Sequence, residues 1–235
     1  MRTAGIDGCK AGWLLVTFDE GEEHYEVLTS PDQLEEALDS FDRILIDMPI
    51  GLEEETYHRE ADVQLRKVLG KEYASSVFTP PIRPALDAPT YVEANVISFD
   101  YTEKKLSLQA WNITPKIKML DELLRKEARY RERVFESHPE LLFQQLNGGM
   151  IYQKKNLKKG IKHRLELIRA QETVAEEFFR IIKEEFRRNE VAEDDIVDAF
   201  ALAHYAKLSV KEGMLTIPNA PETDSEGLIK AIHYV

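Results

Sequence analysis

Cysteine is nearly absent from this chain: Cys9 is the only one among 235 residues. No internal disulfide can form, and no Cys-rich zinc pattern is available. Long hydrophobic runs are missing too. No stretch of about eighteen apolar residues occurs, so nothing in the sequence reads as a membrane span. The N-terminus carries a single Arg and then enters a strand-like stretch, without the apolar region of a signal peptide. A reducing, cytoplasmic location is the expectation. Positive charge is in deficit, with 31 Lys and Arg against 43 Asp and Glu and a formal net charge of −12. Proteins that hold duplex nucleic acid by neutralising phosphates are usually basic on at least one face. Tight nonspecific DNA binding is therefore disfavoured.

What is present begins with an oddity. In the opening "MRTAGIDGCKAGWLLVTF", Asp7 interrupts an apolar, β-branched run that otherwise reads as two strands joined by a tight turn at Gly8 to Gly12. Burying a carboxylate in a sheet costs several kcal/mol unless something pairs with it. "HYEVLTS" reads as a third strand, and Ser30-Pro31 opens a helix with Leu34, Leu38 and Phe41 on its apolar stripe. "RILIDMPIG" (43–51) is a short, nearly continuous apolar run, as expected of a strand covered on both faces of an α/β sheet.

Residues 52–130 look helical and charged, broken by the proline-rich loop "FTPPIRPALDAP". They read as a mostly helical insertion into a single sheet domain spanning 1–235. "RVFESHPELLF" supplies one more strand, and the chain is then helical to about residue 210. The tail reads as a short apolar run, a loop and a final helix.

Three acidic residues share one kind of position: Asp7 in the first strand, Asp47 ending "RILID", and Glu136 ending "RVFE". Ligands of open α/β sheets gather at strand ends near the switch point. Carboxylates converging there repel one another and lose solvent, a conflict that a hard divalent cation such as Mg²⁺ or Mn²⁺ resolves. "EDDIVDAFALAHYAKL" (193–208) adds a helix whose small apolar residues suit close packing on a sheet. Asp195 and Asp198 share a face of it, while Asp194 is a rival partner for Asp198. Asp194 or Asp195 also suits a helix cap. Asp198, a full turn inside, does not.

The strand and helix order, with an Asp on strand 1, a carboxylate on strand 4 and an Asp-x-x-Asp-Ala pair in the last helix, resembles the ribonuclease-H-like superfamily. Within it, "DIVDAFALA" resembles the Holliday-junction resolvases. "GIDGCKAGW", "IDMPIGL", "SVFTPP", "VFESHPE" and "DDIVDAFALA", in that order, resemble the domain-of-unknown-function 429 family of predicted nucleases. The resemblance implies an α/β fold with a mixed sheet in the order β-β-β-α-β-α-β-α and helices on both faces. It also implies metal-dependent hydrolysis of phosphodiester bonds. Asp7, Asp47, Asp195 and Asp198 would be the metal ligands, with Glu136 an added ligand or an outer base. Two ions about 4 Å apart would clamp the attacking water and the leaving oxygen.

Substrate contacts would come from Lys10 and from the basic strip "KKNLKKGIKHR", through Lys155, Lys158 and Arg164. That strip equally reads as a solvated helix start, and Lys10 as lying on the solvent side of a hairpin. The substrate would be nucleic acid or a nucleotide-like phosphate. His138 suits either a helix cap or a proton shuttle. Arg59, Asp62 and Arg66 read as a surface ladder or a substrate-facing strip. Cys9, Trp13 and Trp111 read as core residues. Two other functions stand beside this one. "GIDGCKAG" also resembles the first phosphate loop of actin-like ATPases, whose site would here require a homodimer; the fold could also serve as a non-catalytic binding module. The catalytic reading requires Asp7, Asp47 and Asp198 to meet. A lysine or arginine filling the space between them would remove its basis.

Overall fold

The structure is a computed structural model and describes every residue except Asn156. Among the described residues the strands in chain order are β1 Thr3–Gly8, β2 Trp13–Thr17, β3 His24–Leu28, β4 Arg43–Ile46, β5 Val134–Glu136, β6 Leu215–Ile217 and β7 Ile232–Tyr234. The earlier helices are α1 Pro31–Ser40, α2 Glu60–Tyr73, α3 Tyr91–Thr102, α4 Leu108–Lys126 and α5 Ala128–Arg131. The later ones are α6 Pro139–Leu146, α7 Lys158–Arg169, α8 Ala175–Glu185 and α9 Glu193–Glu212. No helix among the described residues is long and apolar enough to cross a membrane.

The chain divides into two units. One comprises Met1–Asp47, Glu132–Leu215 and His233–Val235; the other comprises Met48–Arg131 and Thr216–Ile232. The first is a mixed α/β unit around a five-stranded sheet in the order β3-β2-β1-β4-β5. β1 pairs antiparallel with β2 and parallel with β4, and β4 pairs parallel with β5. The expected strands all form. Ser30 caps α1, its hydroxyl accepting from the Gln33 N–H at 3.2 Å, and Pro31 takes the first helical position.

Close packing of α9 on β1 depends on Gly5. A Cβ placed there would lie 2.1 Å from the Ala203 nitrogen and 2.7 Å from the Ala199 carbonyl oxygen. The alanines of α9 and the glycine of β1 thus let two backbones touch. Leu14, Val16, Leu45 and Phe135 lie on the same side, in the core that α9 shares with α7 and α8. Ile6, Ile44 and Ile46 point to the opposite face and are also fully buried. Both faces are covered, which explains the continuous apolar run of β4.

The second unit holds α2 to α5. Arg59, Asp62 and Arg66, expected on the surface, are not a solvated ladder. Arg59 and Asp62 form a buried ion pair at 2.6 Å, and Arg59 also donates to the Ile50 and Gly51 carbonyls. Arg83 bridges Asp121 and Asp224, so the segment near the C-terminus joins the expected insertion. The tail also departs from expectation. Where a final helix was expected, Ile232–Tyr234 is a strand, pairing with β6 in a separate two-stranded sheet. Gly227, with φ 78°, breaks the segment before a helix can nucleate, and the β-branched and aromatic residues that follow suit an extended chain.

Candidate carboxylate site

Sheet register brings the first two aspartates together. Ile6 lies beside Ile46, and the Asp47 N–H donates to the Ile6 carbonyl at 3.1 Å. Asp7 and Asp47 are therefore neighbours on adjacent parallel strands, facing the same side. That side belongs to α9, because Gly5, two residues before Asp7, touches Ala199 and Ala203. A two-residue step along a strand advances about 6.6 Å, close to one turn of helix. Asp7 accordingly lies opposite the first turns of α9, where Asp195 and Asp198 stand. The electrostatics agree: Asp47, Asp198 and Asp195 each disfavour ionisation of Asp7.

The roles within the set differ. Asp198 is buried, and its Oδ1 has no hydrogen-bond partner. Its Oδ2 accepts from the Lys155 ammonium at 2.6 Å. Asp195 accepts from the Ala192 N–H at 2.8 Å and so caps α9 while facing the cluster. Asp194 is not needed for the cap. Lys155 was expected to contact substrate and instead enters the acid cluster. Two features hold its segment there. Gly160 lets the Lys154 carbonyl oxygen come to 2.0 Å from where a Cβ would sit, and Arg164 donates to the Gln153 carbonyl at 2.9 Å.

Burial is the main cause of the perturbed ionisation. It raises Asp7 well above the usual carboxylate range, with Asp47 and Asp198 adding to the rise and Lys155 opposing it. Asp47 keeps some contact with solvent; burial lifts it to about 7, with Lys155 pulling down and Asp198 and Glu140 pushing up. Burial also raises Asp195, to about 6, against the pull of the Ala192 N–H. For Lys155, burial favours the neutral amine, but Asp198, Asp47 and Asp7 together outweigh it and hold the proton above the ordinary lysine value. One ammonium thus leaves the cluster short of cationic charge.

A pH dependence follows. Raised carboxyl pKa values mean that the folded chain binds more protons than the unfolded one, so the contribution to stability is full below about pH 4. It is lost as pH rises towards 7, through the folded pKa of Asp47. In EDTA, denaturant melts should show wild type losing stability relative to Asp47→Asn between pH 4.5 and 7.5, by about 1 kcal/mol or more. Parallel curves for the two proteins would contradict it.

Other expected site residues lie elsewhere. Glu136 pairs in register with Ile46, so its side chain points to the face opposite Asp7 and Asp47 and cannot join them. Arg164 does not offer itself to a substrate. It is wholly buried, and its Nη2 donates to both oxygens of buried Glu140, at 2.9 and 2.7 Å. Lys10 and Lys158 are exposed, the latter at the start of α7. His138 is the N-cap residue of α6, but its side chain makes no capping bond. Cys9 and Trp13 are buried, and Trp111 packs at the edge of a small cluster in the second unit. The amides of Cys9, Ala11 and Gly12, which a phosphate loop would need, already bond within the protein. Glu140 was not foreseen at all; the signal for it is an acid in the first turn after the His-Pro corner.

The donors suit a hard cation in kind: all are carboxylate oxygens, and Asp198 Oδ1 is orphaned. Among the described residues, however, no three of them already stand at metal-binding spacing.

Residues 5–223 match the family described as protein of unknown function (DUF429). The chain belongs to that family. No curated protein and no solved structure gives a match. DUF429 membership leaves the chemistry to be argued from the site itself.

Proposed function

We propose that this DUF429 chain is a divalent-cation-dependent hydrolase of phosphodiester bonds, built on a ribonuclease-H-like fold. The observation that carries the reading is the meeting of Asp7 and Asp47, in register on adjacent strands, with Asp198 on the helix packed against them. The strand order β3-β2-β1-β4-β5, with β2 alone opposing β1 in direction at the sheet centre, supports the fold assignment. Asp7, Asp47 and Asp198 would hold Mg²⁺ or Mn²⁺, and Asp195 would keep the start of α9 in place. The cation, when bound, supplies Lewis-acid polarisation of a phosphoryl oxygen and activates a water.

Lys155 meets the condition set out for the sequence, a lysine among Asp7, Asp47 and Asp198, and so removes the basis for a preformed cation site; the proposal therefore requires the ammonium to leave Asp198 when a cation binds. The ammonium contacts one oxygen of one carboxylate, keeps about a third of its side-chain surface in solvent (35%), and leaves Asp7 and Asp47 with raised pKa values. It stands in for a cation without doing that work fully. Once released from Asp198, Lys155 is a flexible point charge suited to a substrate phosphate.

An internal competitor lowers apparent affinity by the fraction of time it vacates the site. Calorimetry should therefore find Mn²⁺ binding about tenfold tighter to Lys155→Met than to wild type, and lost in Asp7→Asn. Hydrolysis of single-stranded, duplex and branched nucleic acids in Mg²⁺ or Mn²⁺ completes the test. Absence of both Mn²⁺ binding and cleavage would leave a binding module with an inert acidic pocket.

A further inference from the structure

The second unit contains a cavity of opposite character. Its volume is ≈ 470 Å³, and its lining includes Tyr57, Arg66, Phe78, Thr79, Lys104 and Lys105. No carboxylate lines it, although acids outnumber bases 43 to 31 in the chain.

Arg66 is the informative residue. Its Nε and Nη2 donate to the Val77 carbonyl at 3.0 and 2.9 Å, and Nη2 also donates to the Thr79 hydroxyl at 3.0 Å. Both acceptor groups are neutral. They fix the plane of the guanidinium without neutralising it, and Nη1 makes no hydrogen bond among the described residues. A half-buried cation whose hydrogen-bond acceptors are all neutral suits an anion on its open side.

The lysines opposite are also presented by design of the backbone. Glu103 ends α3 in the left-handed conformation (φ 57°), which turns the chain sharply, and the Thr102 hydroxyl accepts from the Lys104 N–H at 3.2 Å. Neither lysine has an acidic partner among the described residues. Ser107 then caps α4, accepting from the Ala110 N–H at 3.1 Å, so the positive end of a nineteen-residue helix dipole borders the same cavity. Tyr57 and Phe78 add aromatic surface.

We propose that this cavity binds a phosphate group carried on a nucleotide or on a nucleic-acid strand. Arg66 supplies the fixed fork, Lys104 and Lys105 the mobile charges, and Tyr57 and Phe78 the stacking surface for an attached base. A phosphate alone would leave most of the volume unfilled. The inference does not depend on the carboxylate site or on hydrolysis.

The test uses the full chain in EDTA, with AMP followed by calorimetry and a short labelled single-stranded oligonucleotide followed by anisotropy. Binding should weaken with added salt. It should fall at least about tenfold in Lys104→Ala/Lys105→Ala, whose exposed side chains can be removed without disturbing the fold, and again in Arg66→Gln. Binding of AMP and oligonucleotide alike would assign a nucleotide phosphate, and binding of the oligonucleotide alone a strand phosphate. Failure of both to bind would overturn the proposal. So would wild-type affinity in the lysine double variant together with Arg66→Gln.

Discussion

Asp7→Asn should abolish the proposed cation-dependent phosphodiester hydrolysis, lowering kcat/KM by about a thousandfold or more, which corresponds to about 4 kcal/mol of transition-state stabilisation. Asp7 sits at the sheet centre, with Asp47 beside it and α9 above. Asparagine keeps the shape but removes the charge, so neither a cation nor its activated water would be held as before. The same substitution has an opposite effect on folding. Asp7 is a buried carboxylate held above its normal pKa, chiefly by burial and then by other acids. Near pH 7.5 its neutral isostere should raise stability. Loss of turnover with gain of stability is the signature of a residue kept for chemistry at the expense of the fold. A variant with unchanged turnover, or one that loses both activity and stability, would contradict this account.

Much of the sheet unit was legible because two periodicities dominate it. Strand alternation and the small-residue face of α9 foretold which elements would meet, and through them Asp7, Asp47 and Asp198. Glu136 shows how narrow that inference is. "RILID" and "RVFE" both start with an arginine and end in an acid, but the second is one residue shorter. With Ile44 beside Val134, Glu136 falls opposite Ile46 rather than Asp47, and a one-residue offset sends a side chain through the sheet. The count was available in the sequence; the pairing that gives it meaning was not. Lys155 is a harder case. It lies outside any periodic element, and only the tertiary contacts at Gly160 and Arg164 bring its segment to the acids.

The second unit was legible as helical but not in its polar interior. Arg59 and Asp62 have the spacing of an exposed pair, and nothing local distinguishes that from a buried one whose remaining donors meet the Ile50 and Gly51 carbonyls. Arg164 did carry a signal. Ile161, Arg164, Leu165 and Ile168 follow the i, i+3, i+4, i+7 pattern of an apolar stripe, and all four are buried. A charged residue on such a stripe needs a buried partner, and Glu140 is that partner.

Arg164→Met should accordingly be the most destabilising conservative change in the sheet unit. The guanidinium makes two bonds to Glu140 and donates to the Gln153 and Gly160 carbonyls, with its Cζ 5.4 Å from the Phe143 ring centroid. Methionine fills similar space and leaves the Glu140 carboxylate buried without its partner, a loss of roughly 3–5 kcal/mol. Arg164→Met/Glu140→Leu should recover most of that loss in denaturant melts, because the second change removes the stranded charge rather than restoring a bond. The recovery would not extend to the carboxylate site. Arg164 also grips the carbonyl two residues before Lys155, so both variants should loosen the Lys155 contact with Asp198. They should therefore bind Mn²⁺ more tightly than wild type, as Lys155→Met is expected to do. A double variant that regains stability but binds Mn²⁺ no more tightly than wild type would mean that the ammonium does not compete with the cation. The Arg164–Glu140 pair would then have no influence on the carboxylate site through Lys155.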